Sequence, residues 1–352
     1  MPRLRQVKCS GPGFTRRRRG QGFEYLDEAG GRIAEPEIVE RIRELAIPPA
    51  WTEVWICPHP RGHLQAVGTD DAGRKQYLYH EAWRQRRDLE KFDHMLEFAR
   101  ALPELRRATG EQLGSEGLGR ERVLACAIRL LDRGFFRIGT EGYAEQNQTF
   151  GLATIQKRHV QLDGDLVTFD YAAKGGKRRI QSLLDHEAAD VVAALKRRRG
   201  GGDELLAYKS AGRYVDVRSN DINDYIKEVT GREFSAKDFR TWSATVLAAV
   251  ALAVSAEASR TKSGAKQAVA RAVKEVADYL GNTPAISRSS YIDPRIIDRF
   301  HSGWTIRPSL DALGLGSEFG DPAVQGSVEE AVLDLLDDHR RSDAVDRVTR
   351  AS

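Results

Sequence analysis

Residues 75–102 read "KQYLYHEAWRQRRDLEKFDHMLEFARAL", and the period of the apolar residues changes inside this stretch. "KQYLYH" is a short aromatic-rich run of the kind that forms a strand. From His80 onward the apolar positions recur three and four residues apart, the spacing of an amphipathic helix. The change marks the passage from a β-rich region to a helical one, with a domain boundary expected near residue 90. The expected fold is therefore α+β. A small β-rich N-terminal domain spans 1–90, and a larger, mainly helical domain spans 91–352 with an acidic tail from about 316.

Working toward the N-terminus, "GFEYLD" and "GRIAEP" flank "EAG", which predicts a hairpin with glycine at its turn. "PEIVERIREL" predicts a short helix, "EVWICP" and "HLQAVG" two strands, and "TDDAGR" the turn before "KQYLYH". Toward the C-terminus, "RERVLACAIRLLDRGFF" (120–136) places Val123, Leu124, Ala127, Ile128, Leu130 and Leu131 on one broad apolar face. A β interruption follows between 154 and 180, where Asp-Gly and Gly-Gly in "KRHVQLDGDLVTFDYAAKGGKRRIQ" mark the two turns of a small meander. Helices are expected at "LDHEAADVVAALKRRR", at 219–229, at 241–257 and at 265–280, and "SVEEAVLDLLDD" predicts an acidic amphipathic segment.

A chain of 352 residues is long enough for two cores, and 41% hydrophobic with 30% charged residues suits a soluble globular protein. The longest apolar run, Ala244 to Val254, is too short for a bilayer, and no apolar segment follows the opening basic residues, so neither a membrane partner nor a secretory signal is expected. Three cysteines, Cys9, Cys57 and Cys126, form no disulfide framework and suit a reducing cytoplasm. The net charge of +4 is uneven. Residues 316–352 hold nine acidic and four basic residues, −5, which leaves +9 on the rest. A basic body with an acidic tail suits a polyanion partner, the tail staying off the ligand. "TRRRRG" (15–20) and "LKRRRGGG" (195–202) add local density, or are solvated surface arginine.

Four residues could carry chemistry on a phosphate, which needs fixed cations, a nucleophile and an acid. Arg137 follows an apolar helix in "FFRIGTEGY". Lys174 sits at a meander turn in "DYAAKGGKRR", where Gly175 and Gly176 allow close backbone approach. Arg240 lies in "SAKDFRTWSAT" at the expected start of an apolar helix, whose N-terminus favours anions. Tyr291 stands in "AISRSSYIDP", a run too polar for core. Each has a plainer alternative: ion-pair partners for the arginines, an exposed turn residue for Lys174, a packed or hydrogen-bonded ring for Tyr291. "CPHPRGH" offers Cys57, His59 and His63 without a fourth ligand, and "GLGRER" lacks a Walker lysine, so no metal and no nucleotide cofactor is expected.

Taken in order, these motifs resemble the bacterial type IB DNA topoisomerases, which are similar to the poxvirus enzyme. The resemblance covers nearly all of residues 20–305. It rests on "IPPAWTEVWICPHPRGHLQAVGTDDAGRKQYLYH", "RIGTEGYAEQNQTFGLATIQKRHV", "FDYAAKGGKRR", "KDFRTW" and "GNTPAISRSSYIDP". It implies a monomeric two-lobed clamp on double-stranded DNA, with a catalytic domain of the tyrosine recombinase and type IB topoisomerase type. It implies that Tyr291 attacks the scissile phosphate to leave a 3′-phosphotyrosyl link, that Arg137 and Arg240 hold the non-bridging oxygens, and that Lys174, rather than Lys177, protonates the leaving 5′-oxygen. The fifth family position, histidine in the poxvirus enzyme, is Asn282 here, a hydrogen-bond donor that cannot carry a proton's charge. In "GRKQYLYH" the resemblance makes Arg74, Lys75, Gln76, Tyr77 and Tyr79 candidate DNA contacts, with Gln76 on the strand face opposite the tyrosines; the alternative is an aromatic pair packed on core. Tyr143 matches another DNA-facing position. Thr140 stands where the poxvirus enzyme has a DNA-contacting lysine, so that enzyme's sequence selectivity does not follow. A tyrosine recombinase is the nearest rival, but Lys237 stands where recombinases usually carry histidine. A non-catalytic DNA-binding chromatin protein is a further alternative.

Overall fold

The computed structural model describes residues 3–256, 261–312 and 325–347, without the side chain of Tyr143. Two compact units divide the chain between Asp93 and His94. The first holds strands β1 (Phe14–Arg19) and β2 (Gly22–Leu26), helix α1 (Pro36–Glu44), and strands β3 (Thr52–Ile56), β4 (Leu64–Thr69) and β5 (Lys75–Tyr79). The strands form one antiparallel sheet in the order β2-β1-β3-β4-β5. Pro36 opens α1, where a missing N–H costs nothing. Helix α1 lays Ile42 onto Ile33, Ile47, Val54, Ile56 and Ala66 to close the core, with Trp51 and Leu78 at its border.

The N-terminal hairpin differs from the expectation. β2 pairs with β1, in register Arg19↔Gly22 across a two-residue turn, and "GRIAEP" forms no strand beyond one bridge from Leu26 to Arg32. Four consecutive arginines hide the alternation of β1 from a hydrophobic reading. Arg16 nonetheless points inward: it donates to the carbonyls of Ile47, Pro48 and Trp51 and lies 4.1 Å from the Phe23 ring. "TRRRRG" is thus not uniform surface charge. The same holds for "LKRRRGGG", where buried Arg198 donates to the backbone carbonyls of Leu195, Gly202, Glu204 and Leu205.

Helix α2 (Glu81–Leu113) begins in the first unit and ends in the second. It is followed by α3 (Arg120–Gly134), α4 (Glu141–Asn147), the antiparallel meander β6 (Val160–Asp163), β7 (Leu166–Ala173) and β8 (Lys177–Leu184), and α5 (His186–Arg197). A hairpin, β9 (Ala207–Ser210) and β10 (Arg213–Asp216), precedes α6 (Ser219–Thr230), α7 (Ala236–Val254) and α8 (Lys262–Leu280). Then come α9 (Pro284–Ser290), α10 (Pro294–His301), β11 (Trp304–Thr305), α11 (Arg307–Asp311), α12 (Ser327–Leu336) and β12 (Asp346–Arg347). The architecture is α+β, β-rich and then mainly helical. Phe98, Phe136, Phe169, Tyr225, Phe234, Phe239, Trp242 and Phe300 are fully buried in the second unit.

Helix α3 is its central element, buried from Val123 through Ile128 and again at Leu130 and Leu131. Its last turns are tied to the meander by Arg129 and Arg133, which grip the Asp185 carboxylate at 3.2 and 2.7 Å while Asp185 caps α5. The acidic C-terminal segment is docked where it is described. Glu329 pairs with Arg106 and accepts from Trp242 Nε1 at 2.7 Å, Asp337 pairs with Arg100 at 2.6 Å, and Asp338 with Arg299 at 2.9 Å. The remainder of the expected tail, 316–324 and 348–352, lies outside the described residues. Among the described residues no helix is long and apolar enough to cross a membrane.

Candidate active site

Arg137 is aimed by the way α3 stops. Phe135 closes the helix in the left-handed region (φ 56°, ψ 28°), an uncommon conformation for a residue with a side chain. The chain beyond it is then pinned. Leu152 N–H donates to the Arg137 carbonyl and Ala153 N–H to that of Ile138, both at 2.8 Å. Gly139 and Gly151 permit this: a Cβ on Gly151 would lie 2.5 Å from the Gly139 backbone and 2.8 Å from the Arg137 carbonyl oxygen. Backbone contact on this scale fixes the root of the Arg137 side chain.

Arg240 arrives differently from the expectation. Helix α7 starts at Ala236, not near 241, and its first turn is capped by Ser235 and Asp238. Arg240 lies one turn inside and is only 5% exposed. Its guanidinium is therefore not held at a helix N-terminus. It donates to the carbonyls of Phe135 at 2.5 Å and Leu280 at 2.8 Å. The left-handed turn at Phe135 thus serves both arginines.

The deciding tyrosine follows a helix that its polar sequence conceals. Thr283 caps α9 through the Ile286 N–H, with Pro284 at its first position. Tyr291 ends α9, its N–H donating to the Ser287 carbonyl at 3.1 Å. Thr245 of α7 fixes the next step, donating to the Tyr291 carbonyl at 3.3 Å and accepting from the Asp293 N–H at 3.2 Å. Ile292 and Asp293 are buried and anchor the turn, and the ring is left half-buried with its centroid 5.6 Å from the Arg240 guanidinium carbon. The ring therefore has a neighbour, but a cation and not a core.

The C-terminus of α8 gathers the rest. Gly281 ends it in the left-handed region, and Asn282 follows. Arg137 donates to the Gly281 carbonyl at 3.4 Å and to Asn282 Oδ1. The β7–β8 turn carries Lys174. A cavity of about 160 Å³ is lined by Arg137, Lys174, Lys177, Tyr171, Arg179 and Gly281, among others. Lys174 and the alternative Lys177 both face it, and Lys174 is exposed at its rim.

Electrostatically the site is an uncompensated cation cluster. Burial pulls Arg240 down to about 10, and repulsion from Arg137 and Arg179 adds to this while Tyr291 opposes it. Burial likewise lowers Arg179, and raises the neighbouring Tyr171 phenol to about 12. Arg240 Nε and Asn282 Nδ2 are buried donors without a partner among the described residues. Each such group costs about 1–3 kcal/mol unless a ligand accepts from it. A buried guanidinium beside a phenol, with a second guanidinium repelling it and an orphaned donor held by that second one, is suited to a tetrahedral oxyanion. The ion-pair alternative for Arg137 and Arg240 does not hold: among the described residues neither is paired with a carboxylate. Nor is there, among those residues, a group of three or more His, Cys, Asp or Glu able to hold a metal.

The candidate DNA contacts other than Tyr143 lie in the first unit. Along β5, Gln76 and Leu78 turn inward and Tyr77 and Tyr79 outward, 46% and 41% exposed, with rings 6.2 Å apart and 18° from parallel. The aromatic pair is thus an exposed platform and not core packing. Asp70 holds Arg74 and Gln76 through its carboxylate, and Lys75 is exposed. Tyr143 falls in α4, but its side chain lies outside the described residues. Sequence reasoning missed Arg179, whose signal was its place opposite Tyr171 on the meander, and it missed the carbonyls of α8 as the arginines' seat.

Comparison with known proteins bears on all of this. Residues 80–301 match the catalytic core of eukaryotic DNA topoisomerase I, and residues 22–70 match the N-terminal domain of bacterial DNA topoisomerase IB. The chain is 32% identical to DNA topoisomerase 1B of Acanthamoeba polyphaga mimivirus over 288 residues, 80% of this chain and 85% of that protein. It is 21% identical to vaccinia virus (strain Copenhagen) DNA topoisomerase 1B over 235 residues, 66% of this chain and 71% of the relative. A DNA topoisomerase 1 of Mycosarcoma maydis is 21% identical over 194 residues, 49% of this chain and 19% of that protein. The five candidate catalytic residues fall within the matched catalytic core. Residues 71–79, with the β5 tyrosines, fall between the two matched spans.

Proposed function

Because the chain belongs to the type IB DNA topoisomerase family, we propose that it relaxes supercoiled DNA by breaking and resealing one strand through Tyr291. The observation that carries this reading is the buried Arg240 guanidinium 5.6 Å from the Tyr291 ring, with Arg137 and Arg179 near enough to repel it and none of the three paired with a carboxylate among the described residues. A free phenol has a pKa of about 10 and is mostly neutral near pH 7. Cations beside it favour loss of the phenol proton to solvent, and the phenolate attacks phosphorus. As the bond from the tyrosine oxygen to phosphorus forms, the bond to the 5′-oxygen breaks, and Lys174 gives that oxygen a proton. An acid so placed contributes about 10²–10⁴-fold. Arg137, Arg240 and the Asn282 amide donate to the non-bridging oxygens as charge develops there. The strand with the free 5′-hydroxyl rotates, and the reverse reaction restores the diester and the free tyrosine. No net bond energy is consumed, so ATP has no role to play. The β5 platform and the basic residues beside it supply duplex contacts in the first unit. The protein acts as a monomer in a reducing cytoplasm, a placement supported by three cysteines free of disulfides, and the bacterial N-terminal match supports a bacterial lineage.

Supercoiled plasmid incubated in EDTA without ATP tests the reading. Positive and negative supercoils should both relax, and a detergent quench should trap protein on a 3′ end. Added salt should weaken the activity steeply, because each phosphate contact releases counterions. An absolute requirement for Mg²⁺ or ATP would overturn the proposal.

A further inference from the structure

Three successive carbonyls at the C-terminus of α8 each accept from a different arginine: Tyr279 from Arg179, Leu280 from Arg240, and Gly281 from Arg137. The last carbonyls of a helix lack intrahelical partners and carry the negative end of its dipole. Here that end organises three guanidiniums into one array. Arg179 is built into it by sterics as well, since a Cβ on Gly281 would lie 2.5 Å from Arg179 Nη1. Gly281 thus serves the left-handed turn (φ +63°) and makes room for this side chain.

Arg179 has the surroundings of a functional cation and not of a structural one. It lies half-buried on β8, lines the same cavity as Arg137 and Lys174, and feels the charge of Arg137. Among the described residues it makes no ion pair. Asp278 also lines the cavity and pairs with none of the three arginines, and Arg178 beside it is occupied by Asp170 at 2.6 Å. Like charges held together with no carboxylate paired to them destabilise a fold unless an anion joins them. Asn282, the neutral residue at the α8 terminus, cannot add charge.

We propose that Arg179 is a third phosphate-directed cation of the active site, supplying positive charge that Asn282 does not. The proposal rests on the reading of Tyr291 as the nucleophile. Arg179 acts on the charge of the non-bridging oxygens and transfers no proton.

The test is single-turnover cleavage of a duplex whose scissile linkage is either a diester or a methylphosphonate, which lacks one non-bridging charge. Wild type, Arg179→Gln and Arg179→Lys are compared, with folding checked by thermal melting. Arg179→Gln should slow diester cleavage by about 10²-fold, as for loss of one oxyanion donor, and Arg179→Lys should recover most of the rate. On the methylphosphonate the deficit should shrink to below about five-fold, because the charge that Arg179 meets is gone. Duplex binding, measured in a Tyr291→Phe background, should stay within about two-fold, since other cations hold the duplex. Wild-type cleavage by Arg179→Gln overturns the proposal, as does a deficit of equal size on both substrates, the mark of a structural role. If wild type forms no adduct with the diester, the nucleophile reading itself fails and takes this one with it.

Discussion

Replacing Asn282 by aspartate should make the protein more stable and almost inactive. The side chain keeps its size and its acceptor to Arg137, but gains a negative charge against Arg137, a guanidinium that itself repels Arg179 and Arg240. At a separation of about 3 Å and an effective dielectric near 20, the new attraction is worth about 5 kcal/mol before desolvation. Net values for hydrogen bonds to charged groups fall at about 1.5–3 kcal/mol. For a domain of this size that corresponds to a rise in melting temperature of about 3–10 °C. The same carboxylate occupies the electrostatic place of the phosphate and repels it, so cleavage should fall by at least about 10²–10³-fold. Asn282→Ala leaves the cations unpaired and removes one donor, so it should slow cleavage by about 10–10²-fold with no gain in stability. Asn282→His should be tolerated. Differential scanning calorimetry and single-turnover cleavage on the same preparations decide the matter. An aspartate variant that melts lower than wild type, or cleaves at its rate, would refute the claim that these arginines form an uncompensated anion site.

Two further outcomes concern other regions. Arg74 holds the Asp70 carboxyl at about 2, below its ordinary 3.8. Its stabilising contribution should therefore be complete above pH 3.8 and lost as pH falls toward 2, and an NMR titration midpoint near 3.8 for this carboxyl would contradict the contact. Glu329→Gln keeps an acceptor for Trp242 but removes a charged partner of Arg106, which retains Asp132 at 2.8 Å. It should cost about 1.5–3 kcal/mol of stability and leave cleavage well below the melting temperature unchanged, and an unaltered melting curve would show that the docked C-terminal helix contributes nothing.

The parts of the fold that were legible in the sequence are those where burial sets a period. The 75–102 stretch showed its change from strand to helix, α3 its broad apolar face, and the meander its two glycine-marked turns. Illegible parts depend on polar groups used as structure. β1 is a strand of arginines, and its inward member, Arg16, packs by its stem and bonds backbone carbonyls, which no hydrophobic pattern reports. Helix α9 carries the proposed nucleophile on a polar sequence, and Thr283-Pro284 is its one local signal, a cap and a first turn. The candidate residues Arg137, Lys174, Arg240 and Asn282 could be named from their motifs. What holds them could not, because the left-handed Phe135, the Gly139–Gly151 contact and the carbonyls ending α8 are tertiary arrangements between segments as far as 144 residues apart. Arg179 was invisible for the same reason: one arginine in a basic run is distinguished only by the strand register that turns it inward.

The central claim is that the half-buried phenol beside Arg240 becomes covalently joined to DNA. Tyr291→Phe removes one oxygen and keeps the ring, so a packing residue should tolerate it with little loss. The measurement is peptide mapping of the adduct trapped from wild type by denaturant, together with plasmid relaxation by the phenylalanine variant. The account predicts a single DNA-linked peptide containing Tyr291, and a variant that is folded, binds duplex DNA and neither nicks nor relaxes it. Relaxation by the variant above contamination, or an adduct mapping to another tyrosine, would contradict it.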